Sequence, residues 1–78
     1  MRYYFNLREG EAYVPDDEGL ELPDLNAATK AAIHGLRSLI ADDVLAGRLP
    51  LSTVMEVRDA QGGRVVDLPF RAAVAVEL

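Results

Sequence analysis

The 78-residue sequence predicts a single α+β domain over residues 1–78, a two-layer sandwich with one amphipathic helix on a mainly antiparallel, four-stranded sheet. Three observations predict this class. Apolar and polar residues alternate in two pairs of short stretches, which is the pattern of half-buried strands. One long segment between these pairs has an apolar stripe at helical spacing. Glycine and proline turn signals separate the segments. The predicted order is β-β-α-β-β, and two hairpins flanking one helix form a layered sheet most simply.

The first hairpin is predicted at the start of the chain. Residues 2–8 alternate between apolar and polar side chains, and residues 9–11 include a glycine that suits a tight turn. Residues 12–14 are the predicted return strand. Pro15 ends this strand, because proline has no N–H for a sheet ladder.

A turn cluster at 16–19 and a brief alternation at 20–22 lead to the helix, which is predicted from an N-cap at Asp24 to about Ala46. A carboxylate at the N-cap accepts hydrogen bonds from the first unpaired N–H groups and suits the positive end of the helix dipole. Gly47 stands where the residue that closes many helices is expected. The stripe that should face the sheet comprises Leu25, Ala28, Thr29, Ala32, Leu36, Leu39 and Ile40.

The second hairpin is predicted after the helix. Residues 51–59 alternate, Gly62-Gly63 provides a turn, and residues 64–68 return before a proline ends the ladder. The segment 71–78 leaves three interpretations open: a helical turn that begins near Phe70, a fifth short strand, or one followed by the other.

A single helix covers only one face of such a sheet. Alternation predicts a further set of side chains on the opposite face: Tyr4, Tyr13 or Ala12, Val54 and Val65. Together they indicate a mildly apolar surface for a partner or a second copy of the chain. The alternative is that they are isolated exposed apolar residues of the kind most proteins carry.

Four segments, spread over nearly the whole chain, carry a family resemblance: Arg2-Tyr3-Tyr4-Phe5, residues 17–24 before an alanine-bearing helix, Val57-Arg58-Asp59 with Gly62-Gly63, and Leu68-Pro69-Phe70. In their order and spacing they resemble a family of small proteins of unknown function common in alphaproteobacteria. The resemblance implies a bacterial cytoplasmic protein and supplies no activity or catalytic residue. The alanine and valine tail departs from the more polar ending that the resemblance would suggest. In outline the predicted fold is also similar to the double-stranded-RNA-binding fold of some antitoxins, although architecture alone does not carry function.

Charge and composition exclude several classes of protein. The chain has 13 acidic and 8 basic residues, a net charge of −5, and no cysteine, which excludes disulfides, thiolate metal sites and cysteine nucleophiles. The basic residues are spread singly, which argues against direct nucleic-acid binding, since such proteins cluster Lys and Arg. No apolar run has the length of a signal peptide or a membrane span, so we expect a cytoplasmic protein without membrane contact.

The most unusual feature is an acidic run at residues 9–24, with seven acidic residues and no Lys or Arg. An EF-hand loop is excluded, because counting from Gly19 places apolar residues at its first and twelfth positions. The interpretations left open for Asp16, Asp17 and Glu18 are a site for a hard cation such as Ca²⁺ without the EF-hand frame, a solvated loop, or a docking surface for a basic partner, whose attraction would weaken with salt.

No catalytic constellation is predicted. His34 falls on the exposed face of the helix, no hydroxyl lies in a nucleophile elbow, and Gly62-Gly63 lacks the frame of a phosphate loop. A small enzyme is therefore the least favoured hypothesis, and no catalytic, cofactor-binding or metal residue is assigned.

The favoured hypothesis is a non-enzymatic protein-interaction module that acts through a sheet edge or face, as a homo-oligomer or on a protein partner. The alternative is an antitoxin-like or acidic nucleic-acid-mimic regulatory protein. The predicted interaction residues are Tyr4, Tyr13, Asp16, Asp17, Glu18, Val54 and Val65.

Overall fold

The computed structural model describes residues 1–75 and residue 77. Its elements are β1 (Arg2–Glu9), β2 (Ala12–Val14), β3 (Leu20–Glu21), α1 (Leu25–Leu45), β4 (Thr53–Asp59), β5 (Arg64–Pro69) and α2 (Phe70–Ala73). The α+β class, the antiparallel sheet and the long helix are confirmed. The order before α1 is β-β-β, whereas the sequence predicted β-β. The prediction missed β3 because two residues give too little alternation to distinguish a strand from a turn.

Strand β1 lies inside the sheet, whose path is β2-β1-β4-β5. On one side β1 pairs antiparallel with β4 from Tyr3 to Glu9, and β4 pairs antiparallel with β5. On its other side β1 is shared by two short strands. β2 pairs with Leu7–Glu9, and β3 pairs with Arg2 and Tyr3. This leaves the middle of β1 without a strand neighbour on that side.

The limits of α1 agree with the sequence signals. Asp24 is the N-cap, and its Oδ1 accepts a hydrogen bond from the Ala27 N–H at 2.9 Å. The helix ends at Leu45, and Gly47 follows with a φ of 87°. Both ends are set by local capping, which is why the sequence predicts them well.

The core lies between α1 and one face of the sheet. From α1 the buried residues are Ala28, Ala32, Leu36 and Ile40, and from the sheet they are Tyr3, Met55, Val57 and Leu68. The predicted stripe was too wide, since Leu25 is 48% and Leu39 is 37% exposed. Leu25 begins the helix, before the first buried turn, and Leu39 lies at the margin of the buried stripe.

The segment after β5 forms a helical turn. α2 begins directly after Pro69, and Phe70 and Ala73 are buried. The Arg37 Nε of α1 donates a hydrogen bond to the Ala73 carbonyl at 2.7 Å, which joins the two helices. Val74 has extended backbone angles, and residues 74, 75 and 77 form no strand. Of the predicted tail segment, residues 76 and 78 lie outside the described residues.

Candidate functional site

The face of the sheet that α1 leaves uncovered is rich in charged and aromatic residues. Side chains alternate along each strand, and residues that pair directly share a face. The pairing therefore places these residues on the uncovered face: Arg2, Tyr4, Asn6, Arg8, Tyr13, Glu21, Val54, Glu56, Arg58, Arg64 and Asp67. Four of the eight basic residues of the chain thus lie on one face, although they are spread singly in the sequence.

Glu56 is the centre of an ion-pair network on this face. Its side chain is 4% exposed, and its Oε1 lies 3.2 Å from the Arg58 Nη2. Its Oε2 forms an ion pair with Arg8 that is not aligned as a hydrogen bond. Arg58 also donates from Nη1 to Asp67 at 2.9 Å. Because a buried charge is costly unless it is paired, Glu56 fixes the positions of both arginines.

The outer arginines of this face are also paired. Arg64 lies 3.6 Å from Asp67, and Arg2 lies 3.5 Å from Glu21. All four arginines of the uncovered face therefore have carboxylate partners. Because these four guanidiniums share three carboxylates, those of Glu21, Glu56 and Asp67, the pairing offsets most of their charge but not all of it.

Tyr13 is held from one side by Arg8. The Arg8 guanidinium carbon lies 6.0 Å from the centre of the Tyr13 ring, at the outer limit of a cation–π contact. Since Arg8 is itself paired with Glu56, the buried carboxylate restrains the tyrosine through the arginine. Tyr13 remains 50% exposed.

Asp16 lies beside the middle of β1, on the side where neither β2 nor β3 pairs with it, and supplies hydrogen bonds there. Its Oδ2 accepts a hydrogen bond from the Phe5 N–H at 3.0 Å, and its own N–H donates to the Asn6 Oδ1 at 2.8 Å. Its Oδ1 accepts from the N–H groups of Glu18 at 3.2 Å and Gly19 at 3.1 Å. The carboxylate therefore closes the gap between β2 and β3 and shapes the loop that joins them.

These contacts set the acidity of Asp16. Partial burial raises the pKa of the carboxyl, but the hydrogen bonds from Phe5, Gly19 and Glu18, together with the charge of Arg2, more than offset this effect. The net result is a pKa below the ordinary value, because the hydrogen bonds favour the charged form.

A groove of about 430 Å³ lies on the uncovered face. We call it the tyrosine groove. From β1, β2 and the loop after β2, its lining residues are Tyr4, Asn6, Tyr13, Pro15 and Asp16. From the end of β4 and the turn after it, they are Arg58, Asp59, Ala60 and Gly62.

The turn that lines the far side of the tyrosine groove is built around Asp59. Its Oδ1 accepts hydrogen bonds from the N–H groups of Gln61 at 2.9 Å and Gly63 at 2.8 Å. The carboxylates of Asp16 and Asp59 thus both accept hydrogen bonds from backbone N–H groups. The pairing of Asp59 with Tyr3 places the Asp59 side chain toward the face that α1 covers.

The structure brings only some of the predicted interaction residues into this groove. Tyr4, Tyr13 and Asp16 line it. Asp17 and Glu18 are exposed on the adjoining loop.

The two valines lie elsewhere. Val54 is half-buried on the same face and pairs with Arg8 and Pro69. Val65, expected on the uncovered face, instead packs against the buried cluster. A register shift between Val57 and Arg58 leaves Val65 as the extra residue of a bulge, and a bulge changes which face a side chain meets.

Several groove residues were absent from the predicted set. Asn6 shares the alternation of Tyr4, which is a local signal that could have identified it. Arg58, Asp59 and Gly62 come from the other end of the chain, and only the pairing of β1 with β4 places them beside Tyr4. No pattern near them in the sequence marks that association.

The residues that could signal catalysis or metal binding are His34 and the acidic side chains. His34 is exposed on α1, away from the tyrosine groove. Among residues 1–75 and 77, no group of three or more His, Asp or Glu side chains is arranged to hold a metal ion. Within the same part of the chain, no helix combines the length and apolar character needed to span a bilayer.

The comparisons with known proteins identify a family but no function. No curated protein and no solved structure matches the chain. A family model described as a domain of unknown function (DUF6894) matches residues 2–71, which includes both hairpins, α1 and every residue of the tyrosine groove. The chain therefore belongs to the DUF6894 family.

Proposed function

We propose that this chain is a non-enzymatic protein-interaction module that binds a partner in the tyrosine groove. The observation that carries the proposal is the groove itself, in which Tyr4 and the half-exposed Tyr13 line one concave surface on the uncovered face. Exposed tyrosines are enriched at protein interfaces, because each offers a large apolar body with a polar end. A volume of about 430 Å³ lies within the range of ligand sites, and it suits a few side chains of a partner.

The charged groups of the groove support binding rather than catalysis. The Asp16 carboxylate accepts hydrogen bonds from three backbone N–H groups. The Arg58 guanidinium is shared between Glu56 and Asp67. Groups held in this way shape a surface, whereas an acid or base needs a proton-transfer position within reach of a substrate.

The face is a better candidate than the sheet edge. An exposed edge strand recruits other strands unless it is protected, and short strands, charges, bulges and prolines give that protection. β5 has the bulge at Val65, two charged residues and the terminal Pro69. The opposite edge consists of β2 and β3, which are three and two residues long.

A random peptide library displayed on phage and selected on the immobilised protein tests this proposal. We expect enriched peptides whose binding shifts the amide resonances of Tyr4, Asn6 and Tyr13. Tyr13→Ala should abolish binding. The matched control is Val14→Ala, since Val14 is also exposed but the alternation of β2 places it on the opposite face. Lack of enrichment would contradict the proposal, as would shifts confined to β5 or to the exposed Leu45, Leu49 and Leu51.

The occupant of the groove is another protein or a second copy of the chain. Sedimentation equilibrium separates the two cases, because a dimer that dissociates in Tyr13→Ala but persists in Val14→Ala identifies a second copy. The bacterial origin and cytoplasmic location belong to the same proposal and rest on the family resemblance.

The regulatory alternative has one observation in its favour, which is the presence of four arginines and two tyrosines on one face. Basic and aromatic side chains on a sheet are the elements of single-strand nucleic-acid surfaces. The pairing of each arginine with a carboxylate weighs against it. A protein that binds nucleic acid should shift the electrophoretic mobility of labelled RNA or DNA at low salt. An acidic mimic should instead retain a basic protein that salt releases.

A further inference from the structure

We infer that the tyrosine groove selects a Lys or Arg side chain, carried on an extended segment of the partner. This inference rests on the proposed function and names the chemistry of the partner. The charged residues that line the groove are Asp16, Asp59 and Arg58. Asp59 pairs with the buried Tyr3, which places its carboxylate toward the covered face, so Asp16 is the acidic side chain on the groove side. Arg58 is paired with Glu56 and Asp67, which offsets part of its charge, and the Asp16 carboxylate is the charged group that attracts an incoming cation.

The loop beside the groove extends this acidic field. Asp17 and Glu18 follow Asp16 directly and are exposed. Arg2, the nearest cation to this loop, donates to the Glu18 carbonyl at 2.6 Å and lies beside Glu21 at 3.5 Å. A chain with a net charge of −5 also attracts a basic partner over distance.

The two tyrosines suit the same cation. A guanidinium or ammonium group is attracted to the face of an aromatic ring, and Tyr13 already accepts Arg8 in this way on one side. The ring of Tyr4 packs against Gly19, where a Cβ would lie only 2.9 Å from its Cε1. Backed by this contact, Tyr4 presents a fixed aromatic surface to the groove.

The Asn6 amide indicates that the bound segment of the partner has an extended backbone. Its Oδ1 is occupied by the Asp16 N–H at 2.8 Å, which fixes the orientation of the amide and leaves the NH₂ group as a donor. The acceptor that it suits is a free backbone carbonyl. In a helix the carbonyls are bonded internally, whereas an extended or polyproline segment keeps them free. Aromatic grooves that bind polyproline segments use this combination of rings and polar donors.

A pair of synthetic peptides tests the inference. The probe is the blocked peptide Pro-Pro-Arg-Pro-Pro, and its control carries citrulline, the neutral analogue, in place of arginine. When the arginine peptide is titrated into the labelled protein, it should shift the amide resonances of Tyr4, Asn6 and Tyr13. Its affinity should fall as the salt concentration rises. The citrulline peptide should bind roughly tenfold more weakly, since it loses both the cation–π contact and the attraction to the carboxylates.

Two protein variants complete the test. Tyr13→Phe keeps the ring and should retain the preference for arginine, whereas Tyr13→Ala should lose it. Equal binding of the two peptides, or no shift at millimolar arginine peptide, overturns the inference. If selected peptides bind the groove without a cation, the inference fails and the proposed function stands. If no peptide of any kind binds there, both fail.

Discussion

The Asp16 carboxylate accepts a hydrogen bond from the Phe5 N–H at 3.0 Å, at the place where β1 has neither β2 nor β3 beside it. One side chain thus accepts a backbone hydrogen bond that a neighbouring strand would otherwise accept. It also holds the loop that lines the tyrosine groove, so the stability of the sheet and the shape of the site depend on the same group.

Asp16→Ala should lower the free energy of unfolding by about 1–3 kcal/mol, because three backbone N–H groups lose a charged acceptor. Denaturant unfolding followed by circular dichroism measures the change. The control is Asp17→Ala, whose side chain is exposed on the same loop. Equal effects of the two substitutions would contradict the role assigned to Asp16.

The contribution of Asp16 should depend on pH. Its pKa is lower in the folded state than in the unfolded chain, so its stabilisation is complete above the unfolded pKa of about 4. The stabilisation is then lost as the pH falls through the folded pKa, because protonation removes the charged acceptor. Asp16→Asn should therefore be less stable than the natural chain at neutral pH, and the difference should narrow below about pH 4. A constant difference across an acid series of thermal unfolding curves would refute this.

Gly19→Ala should be strongly destabilising for two reasons. Gly19 has a φ of 71°, and an added Cβ would lie 2.8 Å from the Tyr3 carbonyl oxygen. Gly10 is the matched control, since its φ is 59° and nothing lies within 4 Å of its added Cβ. We expect about 1 kcal/mol of loss for Gly10→Ala, from backbone strain alone. Gly19→Ala should cost more than that, and equal losses would show that the contact with Tyr3 is unimportant.

Glu56→Gln should destabilise the protein by about 1–3 kcal/mol, because it removes the buried charge that both Arg8 and Arg58 pair with. It should also weaken binding in the tyrosine groove, since Tyr13 is restrained through Arg8. Glu11→Gln, at an exposed position in the first hairpin turn, is the control. Thermal unfolding and the peptide titration measure the two effects, and an unchanged melting temperature would count against the network.

Leu36→Ala should cost about 2–5 kcal/mol, since Leu36 is fully buried between α1 and the sheet and its loss leaves a cavity. Leu45→Ala lies on the same helix but at a position that is 88% exposed, and it should change stability by less than about 0.5 kcal/mol. Both values follow from urea unfolding. Similar losses of stability in the two variants would show that the buried face of α1 does not include Leu36.

The sequence by itself determined the features that depend on neighbours along the chain. Asp24 marks the start of α1 and Gly47 follows its end, and the sequence shows both because capping joins residues a few positions apart. The alternation in β1 and β4 identifies strands and their faces for the same reason. By contrast, β3 is too short to carry a pattern, and the bulge at Val65 depends on how β5 pairs with β4.

Only the tertiary structure decided the tyrosine groove. Tyr4 and Arg58 are more than fifty positions apart in the chain, and the antiparallel pairing of β1 with β4 makes them direct neighbours. The pairings of β1 with β3 and β4, and of β4 with β5, gather on one face arginines that are single in the sequence, and each of them has a carboxylate partner there. Register between distant strands is set by the packing of the whole sheet against α1, because moving a strand by one residue would exchange its two faces.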